Sequence, residues 1–192
     1  MPASLWEEIE RLFSQRGAAS YFGEPVSLTE HSLQAAHFAA RQGGSTALVT
    51  AALLHDVGHL LELVPEEIAD WHTDAEHEKL GADWIAVRLG EAVAEPVRLH
   101  VAAKRYLCAT EPSYFAQLSA ASRHTLELQG GCMTAAQAAD FAAQPGASEA
   151  VQLRRCDDQG KVAGLSVPPL AAYRDLIEAY AQGRVRAATS PR

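Results

Sequence analysis

Apolar residues recur along the chain at three- and four-residue intervals, and the segments are punctuated by glycine and proline. Alternating strand patterns are scarce. The pattern predicts helices over about 3–16, 28–42, 46–59, 65–70, 75–90, 96–108, 112–128, 134–143, 148–155 and 169–181. No repeat of solenoid length and no shift in composition divides the chain. The expectation is an all-α helical bundle, one domain over residues 1–182. Residues 183–192 (GRVRAATSPR), small, basic and turn-rich, are expected to be a flexible tail.

Two predicted helix starts share a signal. Ser27-Leu28-Thr29-Glu30 and Thr73-Asp74-Ala75-Glu76 both fit the S/T-x-x-E capping box, and a histidine follows each, His31 and His77. The box fixes the first turn, so it fixes where the imidazole points. A third box, Thr134 to Gln137, lacks such a histidine and reads as structural. A helix N-terminus does not itself favour a cation, so nearby acids would have to outweigh the dipole.

The segment 46–59 (TALVTAALLHDVGH) starts nearly all apolar, as a buried central helix does, and ends in His55-Asp56 and His59, with Gly58 permitting a break. A buried Asp beside a buried His is expensive unless paired or metal-bound. Glu95-Pro96 is expected to open the next strong helix with proline in its first position. On that helix His100 and Lys104, four apart, share a face.

Composition narrows the function. The chain has 192 residues, 48% hydrophobic and 21% charged, with 16 Lys+Arg against 24 Asp+Glu and a net charge of −8. That balance argues against a duplex nucleic-acid partner, which needs a basic face. Cys108, Cys132 and Cys156 form no C-x-x-C pair, which suggests a reducing, cytoplasmic compartment. The acidic first residues do not read as a secretory signal, and no apolar run approaches the roughly 20 residues of a membrane helix.

His31, His55, Asp56, His77, His100 and a later Asp form a candidate metal site. Imidazole and carboxylate together suit Fe, Mn, Zn or Ni better than Ca or Mg. Two metals would need a bridging group; a carboxylate can bridge where a neutral imidazole cannot, so Asp56 is the natural bridge. By spacing alone, Asp157 and Asp158 compete for the last ligand.

The spaced H…HD…D pattern of His31, His55-Asp56 and Asp157 resembles the HD-domain superfamily, and His77 and His100 resemble the extra histidines of its dinuclear members. Tyr21-Phe22-Gly23-Glu24, EHSLQAAHFA (30–39), ALLHDVGH (52–59), EHEKLGADW (76–84), HVAAKRYL (100–107) and SRHTLELQGG (122–131) further resemble the PhnZ-type HD-domain oxygenases, which break the carbon–phosphorus bond of organophosphonates. The likeness covers roughly residues 20 to 180.

The resemblance implies two irons, a mixed-valent Fe(II)/Fe(III) pair, with O2 as cosubstrate. One iron would be held by His31, His55, Asp56 and Asp157, the other by Asp56, His77 and His100. Tyr21 would fill the open position of the first iron until substrate displaces it, and Glu24 would meet the substrate amine. Lys104, with Ser122, Gln129 and Arg154, would hold the phosphonate. His59 would reach substrate or support a ligand. The implied reaction cleaves a 1-hydroxy-2-aminoethylphosphonate, or its trimethylammonio analogue, to phosphate and glycine or glycine betaine. The alternative is an HD-type metal-dependent phosphohydrolase acting on a nucleotide or phosphate ester. The expected partner is therefore a small organophosphonate, with no nucleic acid and no membrane; oligomeric state is not legible. His37, His72 and His124 carry no such context. Trp71, Trp84, Tyr106, Tyr114 and Cys108 read as packing.

Overall fold

The computed structural model describes residues 3–21, 23–61 and 76–183. Its elements are α1 (Leu5–Arg16), α2 (Leu28–Arg41), α3 (Thr46–Leu54), α4 (Val57–Leu61), α5 (His77–Leu89), α6 (Glu91–Thr110), α7 (Pro112–Gln117), α8 (Ala120–Leu128), α9 (Ala135–Ala142), α10 (Ala147–Gln159), a 3-10 turn (Leu170–Tyr173) and α11 (Arg174–Ala181). Among the described residues there is no strand, only an isolated bridge between Ser20 and Ser27. The fold is all-α.

Helix α3 is the central element. Every residue from Leu48 to Leu54 is buried, and α2, α6 and α10 pack against it. Trp6, Ile9 and Phe13 of α1 and Ile177 and Tyr180 of α11 close the same core. A smaller cluster of Leu107, Cys108, Tyr114, Leu118 and Leu126 joins α6, α7 and α8. No described helix is long and apolar enough to cross a membrane.

The first capping box forms as the sequence predicts. Ser27 Oγ accepts from the Glu30 amide at 3.2 Å, and Glu30 Oε2 accepts from the Ser27 amide at 2.7 Å. The Thr134–Gln137 box also forms. A further box at Ser4–Glu7 starts α1.

Several boundaries differ from expectation, each for a physical reason. The predicted helix 46–59 breaks at His55-Asp56, and α4 starts afresh at Val57. That break lets both side chains of the pair turn to the same side. Helix α6 begins at Glu91, not at Pro96, which lies within it. Gly90, with φ of 83°, makes the sharp corner out of α5. Burial of Val93, Ala94 and Val97 then holds the first turns on the core, although Pro96 supplies no helical N–H to Ala92. The predicted 112–128 helix divides at Leu118-Ser119, because Ser119 caps α8 by accepting from the Ser122 amide at 3.1 Å. Helix α10 runs past 155 to Gln159 and so carries Asp157 and Asp158.

At α5, Glu76 is the N-cap in the left-handed region (φ 51°) and His77 is the first helical residue. Glu76 therefore does not take the third-position role that the second box required, and Thr73 lies outside the described residues. So do the predicted helix 65–70, Phe22, Trp71, His72 and residues 184–192.

Candidate metal centre

Asp56 sits at the break between α3 and α4, and its two oxygens face different histidines. Oδ2 lies 3.5 Å from His31 Nε2 and 3.3 Å from His55 Nε2. Oδ1 lies 3.4 Å from His77 Nε2 and 3.8 Å from His100 Nε2. Asp157, from α10, completes the first group, its Oδ1 3.4 Å from His31 Nε2. His31 and His55 bring their Nε2 atoms within 3.0 Å, and His77 and His100 bring theirs within 3.4 Å.

The backbone aims these rings. His31 Nδ1 is 2.9 Å from the Gly160 carbonyl, His55 Nδ1 2.9 Å from the Ala52 carbonyl, and His100 Nδ1 2.7 Å from the Val97 carbonyl. A proton on each Nδ1 donates there, which leaves the Nε2 lone pairs facing inward. His31, His55, Asp56, His100 and Asp157 are all buried, and His77 is 12% exposed.

Electrostatics fit a cation at this place. Asp56 Oδ2 and Asp157 Oδ1 are buried without a hydrogen-bond partner, a costly condition for a carboxylate. Burial opposes the charge of both acids, but His55 holds Asp56, and Arg154 with Lys161 holds Asp157, well below the usual carboxylate range. Burial and the charge of His55 press His31 down to about 4, and burial with His77 and His55 presses His100 down to about 3. His55 moves the other way, to about 9: burial opposes its proton, but Asp56, Asp157 and the Ala52 carbonyl together outweigh the burial. Three buried imidazoles, of which only His55 favours a second proton, are a donor set for metal. His31, His55 and Asp157 offer atoms within 4.8 Å of one another, as do Asp56, His59 and His77. His59 stacks on His77 at 4.0 Å.

Tyr21 and Glu24 flank the first group. The Tyr21–Glu24 turn closes by a 2.7 Å bond from the Glu24 amide to the Tyr21 carbonyl, with Gly23 at φ 77°. The Tyr21 ring stacks on His31 at 3.8 Å. Burial, Asp56 and Asp157 push its hydroxyl well above the usual range. Glu24 Oε1 accepts from Ser119 Oγ at 2.6 Å.

Beside them lies a shelf of cations and hydroxyls. Lys104 is buried and donates to Thr125 Oγ1 at 2.8 Å. Burial, helped by the charge of Arg154, lowers its ammonium to about 7. Lys161 donates to Ser122 Oγ at 2.9 Å and lies 3.8 Å from Glu24 Oε1 and 4.0 Å from Asp157 Oδ1. Gln129 follows α8 with its Oε1 buried and unpartnered.

Arg154, which the resemblance implies as a phosphonate contact, is buried. Its guanidinium meets Asp157, Asp158 and Tyr114. Asp158 thereby turns away from the histidines, and Asp157 faces them. Sequence reading missed Lys161, Thr125 and Ser119. The only available signal was the four-residue step from Asp157 to Lys161, the same step that singled out Lys104 from His100. His124 is exposed, and His37 packs edge-on to Phe38. Trp84 donates to Glu8, Tyr106 packs on Phe141, and Cys108 lies in the smaller core cluster.

The HD-domain family model matches residues 28–130. The chain is 45% identical to the hydroxymethylphosphonate dioxygenase of Gimesia maris over 175 residues, 90% of this chain and 87% of that protein. It is 39% identical to the [1-hydroxy-2-(trimethylamino)ethyl]phosphonate dioxygenase (glycine-betaine-forming) of Leisingera caerulea, over 91% of this chain and 89% of that one. The buried histidines and the split carboxylate thus stand in a chain that belongs to the HD-domain family, in the branch that holds these phosphonate dioxygenases.

Proposed function

We propose that this protein is a diiron oxygenase that cleaves the carbon–phosphorus bond of a 1-hydroxyphosphonate. The observation that carries the reading is the division of Asp56. Its Oδ2 faces His31 and His55, its Oδ1 faces His77 and His100, and a two-lysine shelf lies alongside. The relatives' names support phosphonates as the substrate class.

His31, His55, Asp56 and Asp157 would hold one iron, and Asp56, His77 and His100 the other. The bound pair supplies the redox chemistry that oxygen requires, as a mixed-valent Fe(II)/Fe(III) couple. Tyr21 guards the first position until substrate arrives. His59, stacked on His77, steadies that ring. Lys104 and Lys161 neutralise the phosphonate dianion, with Ser122 and Gln129 completing its hydrogen bonds. Glu24 selects the substituent on the hydroxyl-bearing carbon, and the favoured substrates are the 2-amino and trimethylammonio forms.

In net terms one O2 is consumed. The C–P bond breaks, the phosphorus leaves as phosphate and the carbon as a carboxylate, with one proton released. Glycine or glycine betaine is the organic product for the two amine substrates.

The test is a panel of 1-hydroxyphosphonates, hydroxymethylphosphonate included, together with nucleotides and phosphate esters, assayed for phosphate in air and without oxygen. Oxygen-dependent phosphate release supports the reading. Oxygen-independent release from nucleotides or phosphate esters, with none from phosphonates, would establish the phosphohydrolase instead.

A further inference from the structure

Resting on the dinuclear reading above, we infer that Tyr114 and Asp158 are positioning residues: they lock Arg154 so that Asp157 offers one carboxylate oxygen, and only one, to the first metal position.

The guanidinium is held on three sides. Arg154 NH1 lies 2.7 Å from Asp157 Oδ2. Its Nε is 3.2 Å from Asp158 Oδ2, and its NH2 bonds Asp158 Oδ1, so Asp158 is gripped through both oxygens. Nε also lies 3.1 Å from the Tyr114 hydroxyl, which donates to Asp158 Oδ2 at 2.5 Å. Arg154, Asp157 and Asp158 stand on one helix, at steps of three and four, so α10 presents them side by side. Tyr114 arrives from α7. A planar guanidinium held at Nε and NH2 has no freedom to rotate NH1 away.

The effect falls on Asp157. One oxygen is consumed by Arg154. The other, Oδ1, has no hydrogen-bond partner and faces His31. A carboxylate free on both oxygens could chelate a metal through both and take up the position a substrate needs. Here that mode is closed.

Two consequences separate this role from a phosphonate contact. Arg154 directs Nε, Nη1 and Nη2 into protein carboxylates, which balance its charge, so Lys104 and Lys161 are the cations left to balance a phosphonate. Helix α7 also becomes part of the metal centre's support, because Glu111 binds Arg155 at 2.6 Å beside the Tyr114 link.

The experiment compares Asp158→Asn, Asp158→Glu and Tyr114→Phe in the full chain. Iron per chain is measured against graded chelator, with metal-free melting and steady-state kinetics alongside. Asp158→Asn and Tyr114→Phe should lose one of two irons at chelator concentrations lower by a factor of about 10–100, the usual effect of removing support from a metal ligand. Asp158→Glu should retain both. In Tyr114→Phe, which leaves the charges beside Lys104 and Lys161 in place, kcat should fall while KM for phosphonate holds. Wild-type iron retention in both variants, a rise in KM with both irons kept, or a collapse of metal-free melting in both would each overturn the inference. Iron retention does not depend on turnover, so a wild type that keeps two irons yet cleaves no phosphonate would refute the proposed function without touching this one.

Discussion

Gly58 lies so close to the backbone of His77 that a Cβ at position 58 would stand 2.1 Å from the His77 carbonyl oxygen. Gly81 repeats the approach: its Cβ would lie 3.1 Å from the Gly58 nitrogen. Two glycines thus let α4 and α5 touch where His77 enters the site. Gly58→Ala must push the two backbones apart, at a typical cost of about 1–3 kcal/mol. The expected result is a lower melting midpoint and loss of the metal that Asp56, His77 and His100 would share under the proposed function. Metal analysis of the purified variant checks it.

Asp56→Ala removes the group that faces both histidine pairs. Both irons should be lost, not one, and oxygen-dependent phosphate release should vanish. A variant that kept a full iron at either position would show that Asp56 does not bridge.

Metal removal should destabilise the chain. Without a cation, Asp56 Oδ2 and Asp157 Oδ1 lie buried and without a hydrogen-bond partner. With free metal at 100 times its Kd, binding adds about 2.7 kcal/mol, or roughly 5–10 °C of melting midpoint for a domain of this size. Calorimetry before and after chelation, at several metal concentrations, reads this directly. A midpoint that ignores metal would speak against a resident ion.

Lys104 sets a pH dependence. Burial lowers its ammonium from 10.5 to about 7, with Arg154 and Lys161 acting in the same direction and Asp157 and Asp158 against it. In the free enzyme the charge is present below about pH 7 and lost above it, so KM for a phosphonate should rise as pH climbs through that value. Lys104→Met should raise KM at low pH and flatten the profile. Stability runs the other way. The folded chain binds fewer protons than the unfolded one between about 7 and 10.5, so this residue's contribution to stability increases across that window.

Much of the site was legible because its residues break local rules. Asp56 stands at the end of a nearly all-apolar helix, and only a partner of opposite charge excuses it there. His31 is announced by a capping box that the structure forms. The break at His55-Asp56 was not legible, since Gly58, which suggested one, lies two residues beyond it and serves the contact with α5 instead. Pro96 misled because proline favours a first helical turn, whereas a buried Val93 and Ala94 hold the helix to an earlier start. Lys161 went unseen because it lies just past the end of α10, outside the predicted 148–155 helix, so its four-residue step from Asp157 carried no helical face with it. Asp158 and Tyr114 were hidden for a different reason: their role passes through Arg154, and three-body contacts between α7 and α10 leave no mark on either segment alone.

The bond from His31 to the Gly160 carbonyl joins positions 129 residues apart. It gives the centre an order in time. A chain emerging from its synthesis exposes His31, His55 and Asp56 early, yet the ring of His31 lacks this anchor until residue 160 has appeared. Asp157 comes with that same stretch. The first proposed metal position would therefore be completed late in synthesis, well after the second has all of its donors, and a chain cut short before Asp157 would carry all four histidines with one of them unaimed.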